Sequence, residues 1–183
     1  ALRVGAQGWQ EQGAEVNDQN KGCPVPKITK TGRGSAMMKD VPKTAGILEA
    51  MRKVLTVPFT IKIRSGWDEK HLNAVEVAKI AEDVGVDAIT VHPRTRSQQF
   101  TGLSKWEMIA QVVDVVNSPI TGNGDVKSMS DARKRAAETG CESVMIGRAA
   151  MGNPWVFDES FEDLSPEGKY EYQTRVINRH MPL

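Results

Sequence analysis

Apolar positions recur along this chain with two alternating periods. Ile47, Leu48, Met51, Val54 and Leu55 fall at helical spacing within residues 44–55. Leu72, Val75, Ala78, Ala81 and Val84 repeat the pattern over 72–84, and Trp106, Ile109, Val113 and Val116 make a third stripe. Between and after them lie short apolar runs of strand length: FTIKIR (Phe59–Arg64), AITVH (Ala88–His92), PITGN (Pro119–Asn123) and SVMIG (Ser143–Gly147). The junctions come in two kinds. One is a glycine, a small residue and an acid, as in Gly13-Ala14-Glu15, Gly85-Val86-Asp87 and Gly140-Cys141-Glu142; the other is a proline entering the strand, Pro58 or Pro119. Helix feeding strand at this period predicts consecutive βα units and a parallel sheet.

In such a sheet chemistry gathers where strands end, and here the ends are polar. A strand leading to Cys23 comes first; Lys62 and Arg64 close the second, His92 the third, Asn123-Gly124-Asp125 the fourth and Gly147-Arg148 the fifth. Five polar termini pointing one way predict the C-terminal face of a (β/α) barrel. The last two, TGNGD and IGRAAMGNP, suit a phosphate site built from glycine amides and a helix N-terminus. Gly22-Cys23-Pro24 reads as a rigid turn, because proline fixes φ and glycine tolerates unusual conformations. The first strand is poorly specified: EVNDQNKG carries Asn17, Gln19 and Lys21 where a buried parallel strand shows an apolar run.

Composition narrows the class. With 183 residues, 39% hydrophobic and 26% charged, the chain has material for one globular domain. Net charge is +1, from 24 Lys+Arg against 23 Asp+Glu, so a nucleic-acid partner has to be argued from local clustering. Clustering exists. Gln19 through Lys39 contains Lys21, Lys27, Lys30, Arg33 and Lys39 with no acid, and Pro93 through Trp106 is also acid-free and holds Arg94 and Arg96. Two cysteines exclude a disulfide scaffold. There is no apolar run of bilayer-spanning length and no secretory signal pattern, which makes the cytoplasm the expected compartment and a membrane partner unexpected. No metal-ligand spacing is evident.

Taken singly, these residues have plain explanations. Cys23 would be a small buried hydrophobe, His92 a core imidazole, the glycines turns and the basic runs a solvated surface. Lys62 inside an apolar strand resists such an explanation, since lysine is rarely buried without a partner. Cys141, the Met37-Met38 pair and the tryptophans read as packing.

Together, NKGCPVPKITKTGRGSAMMKD, FTIKIRSGWD, ITVHPRTRSQQFTGLSKW, ITGNGDVKS and CESVMIGRAAMGNPWVF resemble the tRNA-dihydrouridine synthases, in order and over about residues 13–157. The resemblance implies the (β/α)8 TIM-barrel fold, with this chain supplying about the last five βα units. It implies FMN as cofactor, NADPH as electron donor and tRNA as substrate, with Cys23 as general acid in the reduction of uridine to 5,6-dihydrouridine. Lys62, His92, Asn123, Gly124, Asp125, Gly147 and Arg148 fall on the family's flavin contacts. Lys27, Lys30, Arg33, Arg94 and Arg96 are the expected RNA contacts, through phosphates that position without reading sequence. Residues 1–157 are expected to be the C-terminal part of the FMN barrel, and 158–183 a linker and the start of a helical tRNA-binding domain. The family's first strands have no counterpart here, so self-association or a further segment is expected to complete the barrel. Two other functions fit less of the sequence: an FMN barrel acting on a small pyrimidine, which would not need the basic loops, and a non-catalytic RNA-binding fragment.

Overall fold

The computed structural model describes residues 2–180. Five parallel strands, β1 (Asn17–Asn20), β2 (Phe59–Gly66), β3 (Ala88–Thr95), β4 (Ile120–Asn123) and β5 (Ser143–Met145), lie side by side in chain order. They alternate with helices α1 (Leu2–Glu11), α2 (Pro26–Thr29), α3 (Val41–Arg52), α4 (Ala74–Val84), α5 (Glu107–Val113) and α6 (Met129–Thr139), followed by α7 (Glu159–Glu162) and α8 (Pro166–His180). A 3₁₀ segment, Gly34–Lys39, precedes α3. A sheet whose spatial order never reverses is wound in one direction, which is the winding of a (β/α) barrel and not of a doubly wound sheet.

The predicted strands form where expected. Pro58 and Pro119 cannot donate to a ladder, but their carbonyls accept from Asn17 N (2.9 Å) and Ile89 N (3.0 Å) and so set the register of the neighbouring strands. Asp87 enters β3 and accepts from Phe59 N at 2.7 Å and Arg52 at 2.9 Å, which ties the end of α3 to two strand starts. The helix α6 was not foreshadowed by any apolar stripe. It buries only Ala132 and Thr139, and its start is fixed by Ser128 accepting from Asp131 N.

The two faces of the sheet differ in chemistry. Phe59, Ile61, Ile63, Ile89, Val91 and Ile120 alternate onto one face and form a single core with Leu48, Met51, Val77, Ala81, Ile109 and Val112 of the helices. Thr60, Lys62, Arg64, Thr90, His92, Thr121 and Asn123 alternate onto the other. Hydrogen bonds join strands across that polar face, including Thr60 to Asp18 (2.7 Å) and Thr121 with Ser143 (2.6 Å). β1 breaks the pattern as its sequence predicts. The register pairs Asn17 with Phe59 and Gln19 with Ile61, so polar side chains fall on the apolar side. Lys21 continues that row. It is 0% exposed, and among the described residues its amine reaches only Met37 Sδ, at 3.9 Å. Burial pushes its pKa down to about 8.

Candidate active site

The turn that carries Cys23 is held from both sides. Asn20 accepts from Gly22 N at 2.9 Å, Arg64 Nε donates to Gly22 O at 2.8 Å, and Ser35 donates to Cys23 O through both its amide (3.0 Å) and its hydroxyl (2.9 Å). Gly34 makes that approach achievable. Its φ is +58°, and a Cβ there would stand 2.7 Å from Cys23 O and 3.0 Å from Cys23 Cβ. The thiol is half-buried.

Two basic side chains rise beside it from β2. Lys62 donates to Asn123 Oδ1 at 2.8 Å, reaching across β3, while Asn123 Nδ2 donates to Met145 O at 2.9 Å. Burial, helped by the Arg64 charge, pushes Lys62 down to about 8. Arg64 is buried and donates to Thr95 O (2.9 Å) and Gln99 O (2.8 Å); burial first, then Arg94, lowers it to about 10. His92 follows on β3. Burial pushes it down to about 3 and the surrounding Arg64, Lys62 and Arg94 cations act the same way, so the imidazole is neutral throughout the physiological range. Its Nδ1 is buried with no hydrogen-bond partner among the described residues.

Beyond His92 opens a cavity of about 440 Å³, lined by Phe100, Asn123, Gly124, Asp125, Gly147 and Arg148 among others. One carboxylate organises its rim. Asp125 accepts from Arg148 at 2.8 Å on Oδ1, and from Arg94 at 2.6 Å and Ser104 N at 3.1 Å on Oδ2. Burial alone would raise the Asp125 carboxyl; the hydrogen bonds from Arg94 and Ser104 outweigh it and hold it below the usual range. Asp125 itself sits at φ +58°, a conformation uncommon outside glycine and frequent at functional turns. The Arg148 side chain is 56% exposed at the cavity and lies 5.5 Å over the Phe100 ring.

The structure therefore brings Lys62, His92, Asn123, Gly124, Asp125, Gly147 and Arg148 to one end of the sheet, the end that also carries Cys23. Lys27, Lys30 and Arg33 are exposed on the segment after β1, and Arg96 is half-buried on the loop after β3. Arg94 departs from expectation. Its side chain is 2% exposed, ion-paired to Asp125 and donating to Thr101 O and Gly102 O, so it braces the loop from inside and meets no phosphate from solvent. Residues not singled out as site residues from the sequence also belong here. Arg64 shares the Lys62 face by its i+2 spacing, a signal that was available; Phe100, presented by Gln99 at φ +51° and 55% exposed, gave none beyond being an aromatic in a basic loop.

Known proteins match this arrangement. The family model for dihydrouridine synthase (Dus) matches residues 2–182. The tRNA-dihydrouridine synthase B of Pseudomonas aeruginosa is 44% identical over 158 residues, 86% of this chain and 48% of that protein. That of Xanthomonas axonopodis pv. citri is 44% identical over 149 residues, 81% of this chain and 45% of that protein. A phosphonopyruvate hydrolase solved with oxalate and Mg++ shares the fold alone, with a TM-score of 0.59 at 13% identity over 79% of this chain and 55% of that one. The chain spans about half the length of the curated relatives it matches. With a family match running through every strand and every residue of the polar end of the sheet, the chain belongs to the dihydrouridine synthase family, and its five βα units are part of a TIM barrel.

Proposed function

We propose that this chain provides the chemical half of a tRNA-dihydrouridine synthase, reducing the 5,6 double bond of a uridine in tRNA. The observation that carries the reading is the convergence of Cys23, Lys62 and the His92–Arg148 cavity on one end of the sheet.

The residues fit FMN. His92 Nδ1 is a buried polar atom without a partner among the described residues, Arg148 offers an exposed guanidinium at the cavity, and Gly147 leaves backbone open to a phosphate, whereas the bare α-carbon of Gly124 makes room for Ser104. When bound, FMN supplies the hydride that reduces the uracil ring, with NADPH as the ultimate donor. Lys62, oriented by Asn123, would supply positive charge to the flavin, and Arg148 would hold its phosphate. Asp125 holds Arg148 and makes no contact of its own with a phosphate, since a carboxylate would repel it. The Cys23 Sγ–H bond breaks as its proton passes to the uracil carbon next to the one that receives hydride, and the resulting thiolate is reprotonated from water. Lys27, Lys30, Arg33 and Arg96 form a basic rim for tRNA phosphates, with the target uridine extruded from its stack. Residues 1–157 are the barrel portion, and 158–183, which contain α7 and α8, lead into a helical tRNA-binding domain. A substrate of this kind is consistent with a cytoplasmic protein.

The test is Cys23→Ala. Dihydrouridine formation, read by mass spectrometry of digested tRNA, is expected to fall by about a hundredfold or more, the scale of a lost general acid. Flavin absorbance of the purified variant is expected to match wild type. Full activity in the variant, or loss of its flavin, would overturn the assignment.

A further inference from the structure

At the same end of the sheet, outside the cavity, three loops meet at one indole. Trp67 follows β2, Lys39 ends the 3₁₀ segment after β1, and Arg96 follows β3. Lys39 Nζ lies 4.5 Å from the centroid of the Trp67 ring and Arg96 Cζ 4.7 Å from it. The loops after β2 and β3 are joined by hydrogen bonds: Arg96 N donates to Gly66 O at 2.9 Å, and Ser97 donates to Trp67 O through its amide at 3.0 Å and its hydroxyl at 3.1 Å.

This cluster gathers positive charge without balancing it. The acids beside Trp67 are committed elsewhere, Asp68 to His71 and to Lys70 N, and Glu69 to Lys105. Among the described residues neither Lys39 nor Arg96 has a carboxylate at ion-pairing distance. Arg96 Nε is buried and makes no hydrogen bond. A solvated lysine and arginine would keep apart and keep their donors in water. Here the Trp67 ring holds both, 4.5 and 4.7 Å from its centroid, since its quadrupole attracts each cation while they repel one another. An anion within reach of both offsets the repulsion and uses the idle donor.

We propose that Lys39, Trp67 and Arg96 form a binding site for one phosphodiester of the RNA backbone, with Trp67 as the post that sets the spacing of the two cations. The site deepens the tRNA reading and rests on it. It lies on loops after β1, β2 and β3, whereas the cavity is lined from β3, β4 and β5, so an RNA strand seated on it lies toward the β1 end of the sheet, the end that carries Cys23.

The experiment is a titration of the full chain with tRNA at two salt concentrations, for wild type, Lys39→Gln/Arg96→Gln and Trp67→Leu, with FMN affinity measured in parallel. Two cations on a single phosphate release the counterion of one phosphate. The double variant is therefore expected to bind roughly tenfold more weakly and to lose about one unit of salt slope, not two. Trp67→Leu is expected to weaken tRNA severalfold with both charges still present, and FMN affinity is expected to stay unchanged in all three. Wild-type affinity and slope in the double variant, whose replaced side chains are at the surface or partly so, would overturn the site while leaving the tRNA reading intact. Failure of wild type to bind tRNA at all would overturn the proposed function and this site with it.

Discussion

Two lysines, Lys21 just past β1 and Lys62 on β2, titrate alike, yet they lie on opposite faces of the sheet. Both are pushed down to about 8 by burial. Lys62 stands on the polar face, hydrogen-bonded to Asn123 and beside Arg64 and His92. Lys21 stands on the apolar face, with a thioether as its amine's only hydrogen-bond contact among the described residues. Burial by itself therefore does not mark a functional cation. What separates the two is whether the fold has built partners that make the charge useful.

The comparison breaks if the two lysines respond alike to substitution. Lys62→Met is expected to lower dihydrouridine formation by about 100- to 1000-fold, the cost of removing one placed electrostatic group, without lowering the unfolding midpoint. Lys21→Met is expected to leave turnover within about twofold. Equal losses of turnover would show that Lys21 acts in the chemistry.

A partnered buried charge can be stripped of its partner. Asp125→Ala would leave Arg94, 2% exposed, with only two carbonyls to receive it, and is expected to cost about 3 to 5 kcal/mol in urea unfolding. It would also free Arg148, so FMN affinity is expected to fall while riboflavin affinity holds. A stability loss under about 1 kcal/mol would show Arg94 to be satisfied without the carboxylate.

The smallest effect is the most diagnostic. Lys21 has a folded pKa of about 8 against 10.5 for a free lysine, so the unfolded chain binds the extra proton between those values and stability rises with pH across that window. Below pH 8 the full penalty applies. Lys21→Met is thus expected to gain about 3 kcal/mol at pH 7, and the gain is expected to shrink to about 1 kcal/mol or less by pH 10. Urea titrations at the two pH values check it, and a gain independent of pH would trace the effect to packing.

The same contrast explains what was legible in the sequence. β2 and β3 could be read because apolar residues alternate strictly along them and proline or glycine punctuates their ends; β1 was located only through the Gly-Cys-Pro turn that follows it. Helix α6 stayed hidden because a helix that buries one alanine and one threonine shows no stripe, although Ser128 and Asp131 carry the capping signal. At the site, residue types at strand ends were visible but their pairings were not. Arginine reads as surface in any one-dimensional pattern, so nothing in Pro93–Trp106 distinguished the interior brace Arg94 from Arg96 two residues on. That distinction is made by Asp125, thirty-one positions later.

The turn at Cys23 is closed by Ser35, twelve residues downstream, and by the bare α-carbon of Gly34. The thiol's orientation is thus a long-range property of a short motif. A chain that has folded only as far as Pro24 holds the cysteine but not its direction. The rate at which Cys23 is alkylated then becomes a clock for the docking of the Gly34–Lys39 segment, because undocking frees the turn while the sheet beneath stays whole. Reactivity that rises in denaturant too dilute to unfold the core would time that local opening directly.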